Sequence, residues 1–343
     1  MIQIVKCDSS VVKALAAINE SDLLTVFVVD EKNVLVGTLT DGDARRYLIN
    51  GGQLNDSVVN AINKSFSKIE QKDSDTLKSL KEFKAKGIKL VPVVNSKGEI
   101  DDVYDLVNYK SHLPIDAVLM AGGKGERLRP LTEKTPKPLL PVGDKCIIDH
   151  NVDRLISYGV KHISVTVNYL KEQLEEHYSK PRNGVQINVC REPKYLGTIG
   201  SIKFIKKFYN DTILVMNSDL FTNIDYEDFF LHFVENDADM SVAAIPYNIS
   251  IPYGILDVDG RNVKGVFEKP QYNYYVNAGI YLIKRDVLNE IPDEIPFNAT
   301  DLAEKLIAKK KKVVRYPLNG TWIDIGSLQE YQKANELAKH LAT

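Results

Sequence analysis

The spacing of apolar and polar positions changes character near residue 112. Before that point one theme occurs twice. Helical spacing in VVKALAAINES (11–21) leads into the apolar run TVFVVD (25–30), a turn at EKN, a second run LVGTLT (35–40), and a polar helix from Asp41. TLKSLKEFKAKG (76–87) then leads into KLVPVVNSKGEIDDVYDL (89–106), which predicts helix, strand, hairpin turn at SKG, strand and helix once more. The HLP segment (112–114) reads as a linker, because Pro114 discourages helix at the residue before it.

Beyond the linker, apolar runs alternate with helical spacing. IDAVLMA (115–121), HISVTVN (162–168), VQINVCRE (185–192) and DTILVMNSDL (211–220) predict strands. IIDHNVDRLISYG (147–159), LKEQLEEHY (170–178) and SIKFIKKFY (201–209) predict the helices between them. Such alternation gives an α/β fold with a doubly wound, Rossmann-like sheet, whose ligand lies beyond the C-terminal ends of the strands. The runs ADMSVAAIP, YGILDVDG, GVFEKP and NAGIYLIK follow one another closely, so the sheet is expected to be mixed, mostly parallel. An amphipathic helix, QEYQKANELAKHLA, stands last and the sequence holds no hexapeptide repeats, so a C-terminal left-handed β-helix with acyltransferase activity is not expected.

At 343 residues the chain exceeds one typical core, so two domains are expected. Lys plus Arg total 44 against 46 Asp plus Glu, a net charge of -2, which offers no electrostatic footprint for DNA or RNA. The KKKK run at 309–312 follows the helical DLAEKLIA and reads as a solvated helix end. Cys7, Cys146 and Cys190 are scattered, without metal-ligand or redox spacing, which fits a reduced compartment. The first residues lack the apolar core of a signal peptide. No apolar run reaches the ~18–20 residues needed to span a bilayer. A soluble cytoplasmic protein is therefore expected. The six histidines and three cysteines form no motif that would activate a nucleophile.

The densest chemical signal is LMAGGKGERLRPLTEKTPKPLLPV (119–142). A buried strand runs into Gly122, Gly123 and Gly125, then into Arg127 and Arg129. Glycines after a strand let backbone N–H groups approach a phosphate chain, and a following helix N-terminus adds positive potential. The spacing is neither that of a dinucleotide fold nor that of a P-loop, so the glycines alone fit a tight strand–helix turn equally well. The proline-braced TPKPLLP is expected to hold Lys137 in a fixed, extended segment.

This segment closely resembles the signature of the sugar-phosphate nucleotidyltransferases, AGG-x-G-x-R-L-x-P-x-T followed by PKP. EPKYLGTIG (192–200), NSDL (217–220), PYGIL (252–256), FEKP (267–270), NAGIY (277–281) and WIDIG (322–326) follow in the family's order. The resemblance implies a catalytic domain over 115–343 that joins a nucleoside triphosphate to a sugar 1-phosphate with Mg²⁺ and releases pyrophosphate. It implies that Arg127 holds the triphosphate, and that Lys137 neutralises phosphate near the reacting bond. Asp219 and Asp324 would hold Mg²⁺. On the sugar side it implies Lys269 for the sugar phosphate, Glu268 for ring hydroxyls or an amine, and further contacts from Gly254 and Asn277. Backbone groups of Gly122 and Gly197 would read the base. Guanine presents adjacent N1–H and N2–H₂ donors that suit a carboxylate, so Glu192, if it faces the base edge, favours GTP. Glu192 could equally stabilise its own loop.

The doubled theme over residues 3–110 resembles a pair of cystathionine-β-synthase (CBS) motifs, implying a tandem CBS regulatory domain over 1–111. In that family a Gly-x-x-Thr-x-x-Asp stretch binds the ribose of an adenine nucleotide, matched here by Gly37, Thr40 and Asp43. TDGD is also a good helix N-cap with a turn at Gly42, and the second repeat places Asp101 where the threonine would be. CBS modules commonly pair, so a homo-oligomer is expected. A CBS module joined to this catalytic domain resembles the guanylyltransferases that make GDP-glucosamine for legionaminic-type acids. GTP and glucosamine 1-phosphate are thus the first substrates expected. Mannose 1-phosphate with GTP, or glucose 1-phosphate with dTTP or UTP, remain open. A catalytically silent nucleotide-sensing subunit is the alternative from another class, and the presence of all four of Arg127, Lys137, Asp219 and Asp324 argues against it.

Overall fold

A computed structural model describes residues 3–70 and 76–341. The chain divides into two compact units between His112 and Leu113.

In the first unit, strands β1 (Gln3–Lys6), β2 (Thr25–Val29) and β3 (Leu35–Thr40) form one sheet, with helices α1 (Val11–Asn19) and α2 (Asp41–Ile49). Strands β4 (Ile69–Glu70), β5 (Leu90–Val94) and β6 (Ile100–Asp105), with α3 (Thr76–Ala85), repeat the plan. In each sheet the first pair is parallel and the second antiparallel. Val11, Ala14 and Ile18 of α1 are buried against Val26, Val28 and Leu39. Phe27 and Leu35 of one repeat pack with Val94 and Val103 of the other, joining the two halves through an apolar seam. The second repeat departs from expectation. No helix follows β6: the Asp105 carboxylate accepts the N–H groups of Val107 and Asn108, an Asx turn that competes with helix initiation.

The second unit is built on a seven-stranded sheet. Its strands are β7 (Ile115–Ala121), β10 (His162–Val167), β11 (Ile187–Arg191), β12 (Thr212–Asn217), β14 (Met240–Ser250), β17 (Gln271–Lys284) and β18 (Val313–Pro317). Short pairs β8 (Pro141–Val142) with β9 (Lys145–Cys146), β13 (Leu220–Thr222) with β19 (Trp322–Asp324), and β15 (Ile255–Asp259) with β16 (Asn262–Phe267) lie outside it. The sheet order is β11-β10-β7-β12-β17-β14-β18. The first four strands are parallel, and β17 runs antiparallel to both neighbours, giving the expected mixed sheet. The helices are α4 (Ile147–Ser157), α5 (Lys171–His177), α6 (Tyr226–Glu235), α7 (Ala299–Ala308) and α8 (Leu328–Leu341). Among the described residues, no helix is long and apolar enough to cross a membrane.

Three expected elements differ. SIKFIKKFY forms only a single 3₁₀ stretch, Gly200–Phe204, and not a full helix. Its Ser201 hydroxyl is buried against Thr166, and the Tyr209 and Asn210 N–H groups both donate to the buried Asp116 carboxylate (2.8 and 2.9 Å), which draws the chain out of helical geometry. After the glycines comes a three-residue 3₁₀ turn, Glu126–Leu128, so helix-dipole potential is small there and Arg127 itself supplies the charge. Lys137 likewise opens a 3₁₀ turn, Lys137–Leu139, and is not extended: Pro138 fixes φ at a value the turn accepts.

Cys146 comes within 4.8 Å of Asp149 and His177. The Asp149 oxygens are already taken by His177, the Tyr178 hydroxyl and Arg182, so this is a buried ion network tying α4 to α5. All three cysteines are free.

Asp116 is the buried charge that fixes the entry to β12. Asp116→Ala leaves two backbone donors unsatisfied and should cost about 1–3 kcal/mol, read as a lower urea midpoint of the second unit; an unchanged midpoint would show the loop stands without it.

Candidate active site

The parallel strands deliver their chemistry at one end. β7 runs into the glycine loop, and β12 ends at Asn217, beside the end of β7. Ser218 locks the two ends together, its N–H and hydroxyl both donating to the Met120 carbonyl (3.2 and 2.7 Å). The next residue, Asp219, is thereby aimed into a cleft of about 690 Å³ lined by Gly122, Gly123, Gly125, Arg127, Lys137, Glu192, Gly197 and Asp219. The cleft thus gathers eight of the residues expected to bind nucleotide and metal.

Lys137 is paired with Asp219, the two side chains only 10% and 24% exposed. The pairing of β13 with β19 sets Leu220 opposite Asp324, and Ile325 N–H donates to the Asp219 carbonyl (3.1 Å). The Trp322 indole N–H, bonded to the Ala278 carbonyl (2.8 Å), anchors β19 to the central sheet. Burial raises the Asp324 carboxyl above its ordinary value and the charge of Asp219 raises it further, while Lys137 and Arg127 pull the other way. A buried carboxyl whose ionisation a neighbouring carboxylate hinders fits a site for a divalent cation.

The glycines have specific neighbours. A Cβ on Gly122 would lie 1.8 Å from Glu192 Oε1. A Cβ on Gly326 would meet the Arg127 guanidinium at 3.2–3.3 Å, so the last glycine of WIDIG makes room for the arginine. Glu192 is 4% exposed, and its Oε2 accepts the Leu196 N–H (3.2 Å), bracing the loop that carries Gly197. Burial raises its carboxyl above the usual range, countered in part by that N–H.

The expected sugar residues are elsewhere. Asn277 lies where β17 leaves the sheet, bonded to the Tyr281 hydroxyl (2.9 Å) and the Gly279 N–H (2.9 Å). Gly254 and Glu268 do come together, since a Cβ on Gly254 would lie 3.0 Å from Glu268 Oε2. With Lys269 they sit on an exposed extension, and none of the four lines the cleft. Conversely, Lys124, Asn168, Thr198, Ser201 and Asn217 line the cleft without having been singled out. Asn168 and Asn217 each stand directly at the end of a parallel strand, a position that could have marked them.

In the first unit, Thr40 and Asp43 form a full capping box for α2. Asp43 Oδ2 accepts from the Thr40 N–H (3.0 Å), and Thr40 Oγ1 accepts from the Asp43 N–H (3.2 Å). The helix-cap role is therefore present, and both residues border a cleft of about 510 Å³ that also includes Thr38, Asn63 and Lys89.

A mostly parallel sheet with a glycine-rich loop, cations and paired carboxylates at its C-terminal edge defines a nucleotide-handling α/β domain. Residues 116–340 match the family model described as Nucleotidyl transferase, and residues 2–50 match that of the CBS domain. The chain belongs to the nucleotidyl transferase family, with a CBS domain at its N-terminus. A Sulfolobus acidocaldarius protein described as "Putative mannose-1-phosphate guanyltransferase" is 31% identical over 225 residues, 64% of this chain and 62% of that protein. The D-glycero-alpha-D-manno-heptose 1-phosphate guanylyltransferase of Campylobacter jejuni is 28% identical over 219 residues, 63% of this chain and 97% of the relative. Among solved structures, HddC from Yersinia pseudotuberculosis superposes with a TM-score of 0.51 at 25% identity, covering 65% of this chain and 98% of that chain. Its complex with GMP-PN gives a TM-score of 0.50. The chain spans less than two thirds of the length of the Sulfolobus relative.

Asp324 links stability to pH. Its folded carboxyl holds its proton more tightly than the unfolded one, so its penalty is absent in acid. The penalty grows as pH rises through the interval above the ordinary carboxylate range, and it persists at neutrality. Without metal, Asp324→Asn should raise Tm at pH 7 and lose that advantage in acid. With Mg²⁺ added, the wild type should gain more than the variant. A pH-independent difference in Tm would contradict the assignment.

Proposed function

We propose that the chain is a sugar-1-phosphate nucleotidyltransferase that uses GTP, with glucosamine 1-phosphate as its first sugar substrate. The carrying observation is the convergence of Arg127, Lys137, Asp219 and the glycine loop in one cleft, with Asp324 beside Asp219. A sugar-phosphate oxygen attacks the α-phosphorus in line, a new P–O bond forms, the α–β bridging bond breaks and pyrophosphate leaves. The protein's work is to bring two polyanions together and to stabilise charge on the α-phosphate. Arg127, laid over Gly326 at the mouth, holds the β- and γ-phosphates and takes up the charge of the leaving pyrophosphate. Lys137 is shared between Asp219 and the α-phosphate oxygens. Asp219 and Asp324 would hold Mg²⁺, which supplies Lewis-acid charge neutralisation at the phosphates.

The guanylyltransferases among the relatives support guanine as the base. Glu192 suits the guanine edge through Oε1, since Oε2 is committed to Leu196. The Sulfolobus relative favours mannose 1-phosphate as the second reading of the sugar. The cleft beside Thr40 suits an adenine-nucleotide effector, with Lys89 as its cation. A cytoplasmic enzyme that feeds NDP-sugars to cell-surface polysaccharide synthesis is consistent with this chemistry.

Pyrophosphate release from purified protein with Mg²⁺ tests the reading, with GTP, UTP, dTTP, CTP and ATP each crossed with hexose and hexosamine 1-phosphates. Release that requires GTP and glucosamine 1-phosphate is expected. Release only with another pair would keep the class and replace the substrates. Glu192→Gln should lower kcat/KM for GTP roughly tenfold or more while sparing the other triphosphates; an equal loss for all would reduce Glu192 to a loop brace.

A further inference from the structure

Ser164 and Thr166 alternate on β10, and Asn188 and Cys190 are their Cα partners on β11, so all four point to one face of the sheet. Ile199, Ile202, Ile205 and Phe208 pack over that face in one apolar cluster with Cys190. Thr166 is buried beneath them, and its hydroxyl accepts from the buried Ser201 hydroxyl (3.0 Å). This pair divides the face. Thr166, Ser201 and Glu192 line the cleft at the C-terminal ends of the strands. Behind it, Ser164, Asn188, Cys190 and Phe204 line a second cavity of about 710 Å³. That volume is ordinary for a small-molecule site.

The second cavity is cationic. Lys161, Arg191, Lys206 and Lys207 line it, against one carboxylate among the described residues, Asp116. Asp116 is buried and turned inward, where it accepts the Tyr209 and Asn210 N–H groups. Arg191 is held by Glu175 (2.6 Å). Lys206 and Lys207 have no carboxylate within ion-pair distance among the described residues. Lys207 stands over the Tyr209 ring (4.3 Å), which is itself stacked on His162 (3.9 Å). Aromatic contact thus places the ammonium group and leaves its charge unneutralised. The polar groups along β10 and β11 are neutral: Asn188 Nδ2 donates to Ser164 Oγ (3.3 Å), with Gln186 nearby in the same wall. Unneutralised cations beside amides and a hydroxyl suit a phosphate ester, the ammonium groups taking the phosphate and the neutral groups its hydroxyls.

The two cavities share more than a partition. Burial pushes the Cys190 thiol up, the charge of Glu192 adds to that, and Lys206 opposes it. Glu192 in the cleft and Lys206 behind it therefore act on one sulfur atom. A charge added at Lys206 is felt beside the residue assigned to the base.

We propose that the second cavity binds a small phosphate monoester through Lys206 and Lys207, and that its occupation weakens nucleotide binding in the cleft. The site stands apart from the nucleotidyltransferase reading, and only its coupling to GTP rests on that reading. The sign follows from charge: the bound anion cancels two cations close to a cleft that must take up a triphosphate. By linkage, GTP weakens the phosphate ester by the same factor.

Calorimetry on the full-length chain tests the site without turnover, with glucose 6-phosphate and inorganic phosphate as the probes. Binding should survive Arg127→Ala, which alters the cleft. It should fall roughly tenfold or more in the Lys206→Ala/Lys207→Ala double variant, whose truncated side chains are exposed. Asn188→Asp, which keeps the shape of the wall and adds a negative charge, should weaken it as well. Tighter binding of glucose 6-phosphate identifies a sugar phosphate as the ligand, and equal or tighter binding of phosphate identifies the free anion. No binding of either probe, or loss in Arg127→Ala with retention in the double variant, overturns the site. Saturating GTP should weaken the probe severalfold in the wild type, and an unchanged affinity overturns the coupling. A wild type that binds the probe in this pattern yet releases no pyrophosphate would remove the proposed reaction and leave the site standing.

Discussion

The half-buried ion pair between Lys137 and Asp219 is the constraint around which the second unit is arranged. Charges taken out of water must be balanced by partners held in place, and losing one partner from such a pair costs about 3–5 kcal/mol. Lys137 is fixed by a proline-flanked 3₁₀ turn, Asp219 by Ser218 bridging β12 to β7, and Asp324 by the pairing of β13 with β19. These segments are far apart in sequence and meet only because the parallel strands end at one edge. Helix α4 braces the same corner: Asn151 donates to the Leu220 carbonyl (2.7 Å) and Arg154 to that of Ile224 (3.0 Å by Nε). The charged groups of this corner are thus held by hydrogen bonds and strand pairing from several sides.

The glycines of this edge serve the side chains as much as any ligand. Backbone approach to phosphate accounts for a glycine loop in general, but Gly122 and Gly326 are demanded by neighbours already in the fold, Glu192 and Arg127. The consequence is a wall in which a carboxylate and a guanidinium are packed against bare backbone. Their positions are set before substrate arrives, which lowers the ordering cost of binding.

In the antiparallel half, β14 and β17 run on beyond the ends of their pairing with β18 and β12. The glycine loop and Asp219 follow directly on the parallel strands β7 and β12, whereas Gly254, Glu268 and Lys269 lie on the exposed extension.

The amino-acid sequence determined a good deal by itself. Doubled helix–strand–turn–strand spacing specified the repeated first unit, because alternation and turn residues are local signals. Apolar runs between helical segments specified a mixed, mostly parallel sheet for the same reason. The AGG…R…PKP segment and NSDL marked residues of the cleft through their resemblance to a family signature, which carries what glycine, charge and proline spacing alone do not. Tertiary structure decided the rest. SIKFIKKFY has helical spacing, yet Asp116, 93 and 94 residues earlier in the chain, captures the N–H groups of its last residue, Tyr209, and of Asn210. The carboxyl of Asp324 is raised because burial and β13–β19 pairing set it beside Asp219. Lys269 and Glu268 stand in their motif as the sequence order requires, but whether a strand folds back or extends depends on what covers its faces. That information resides in long-range packing, and no local pattern carries it.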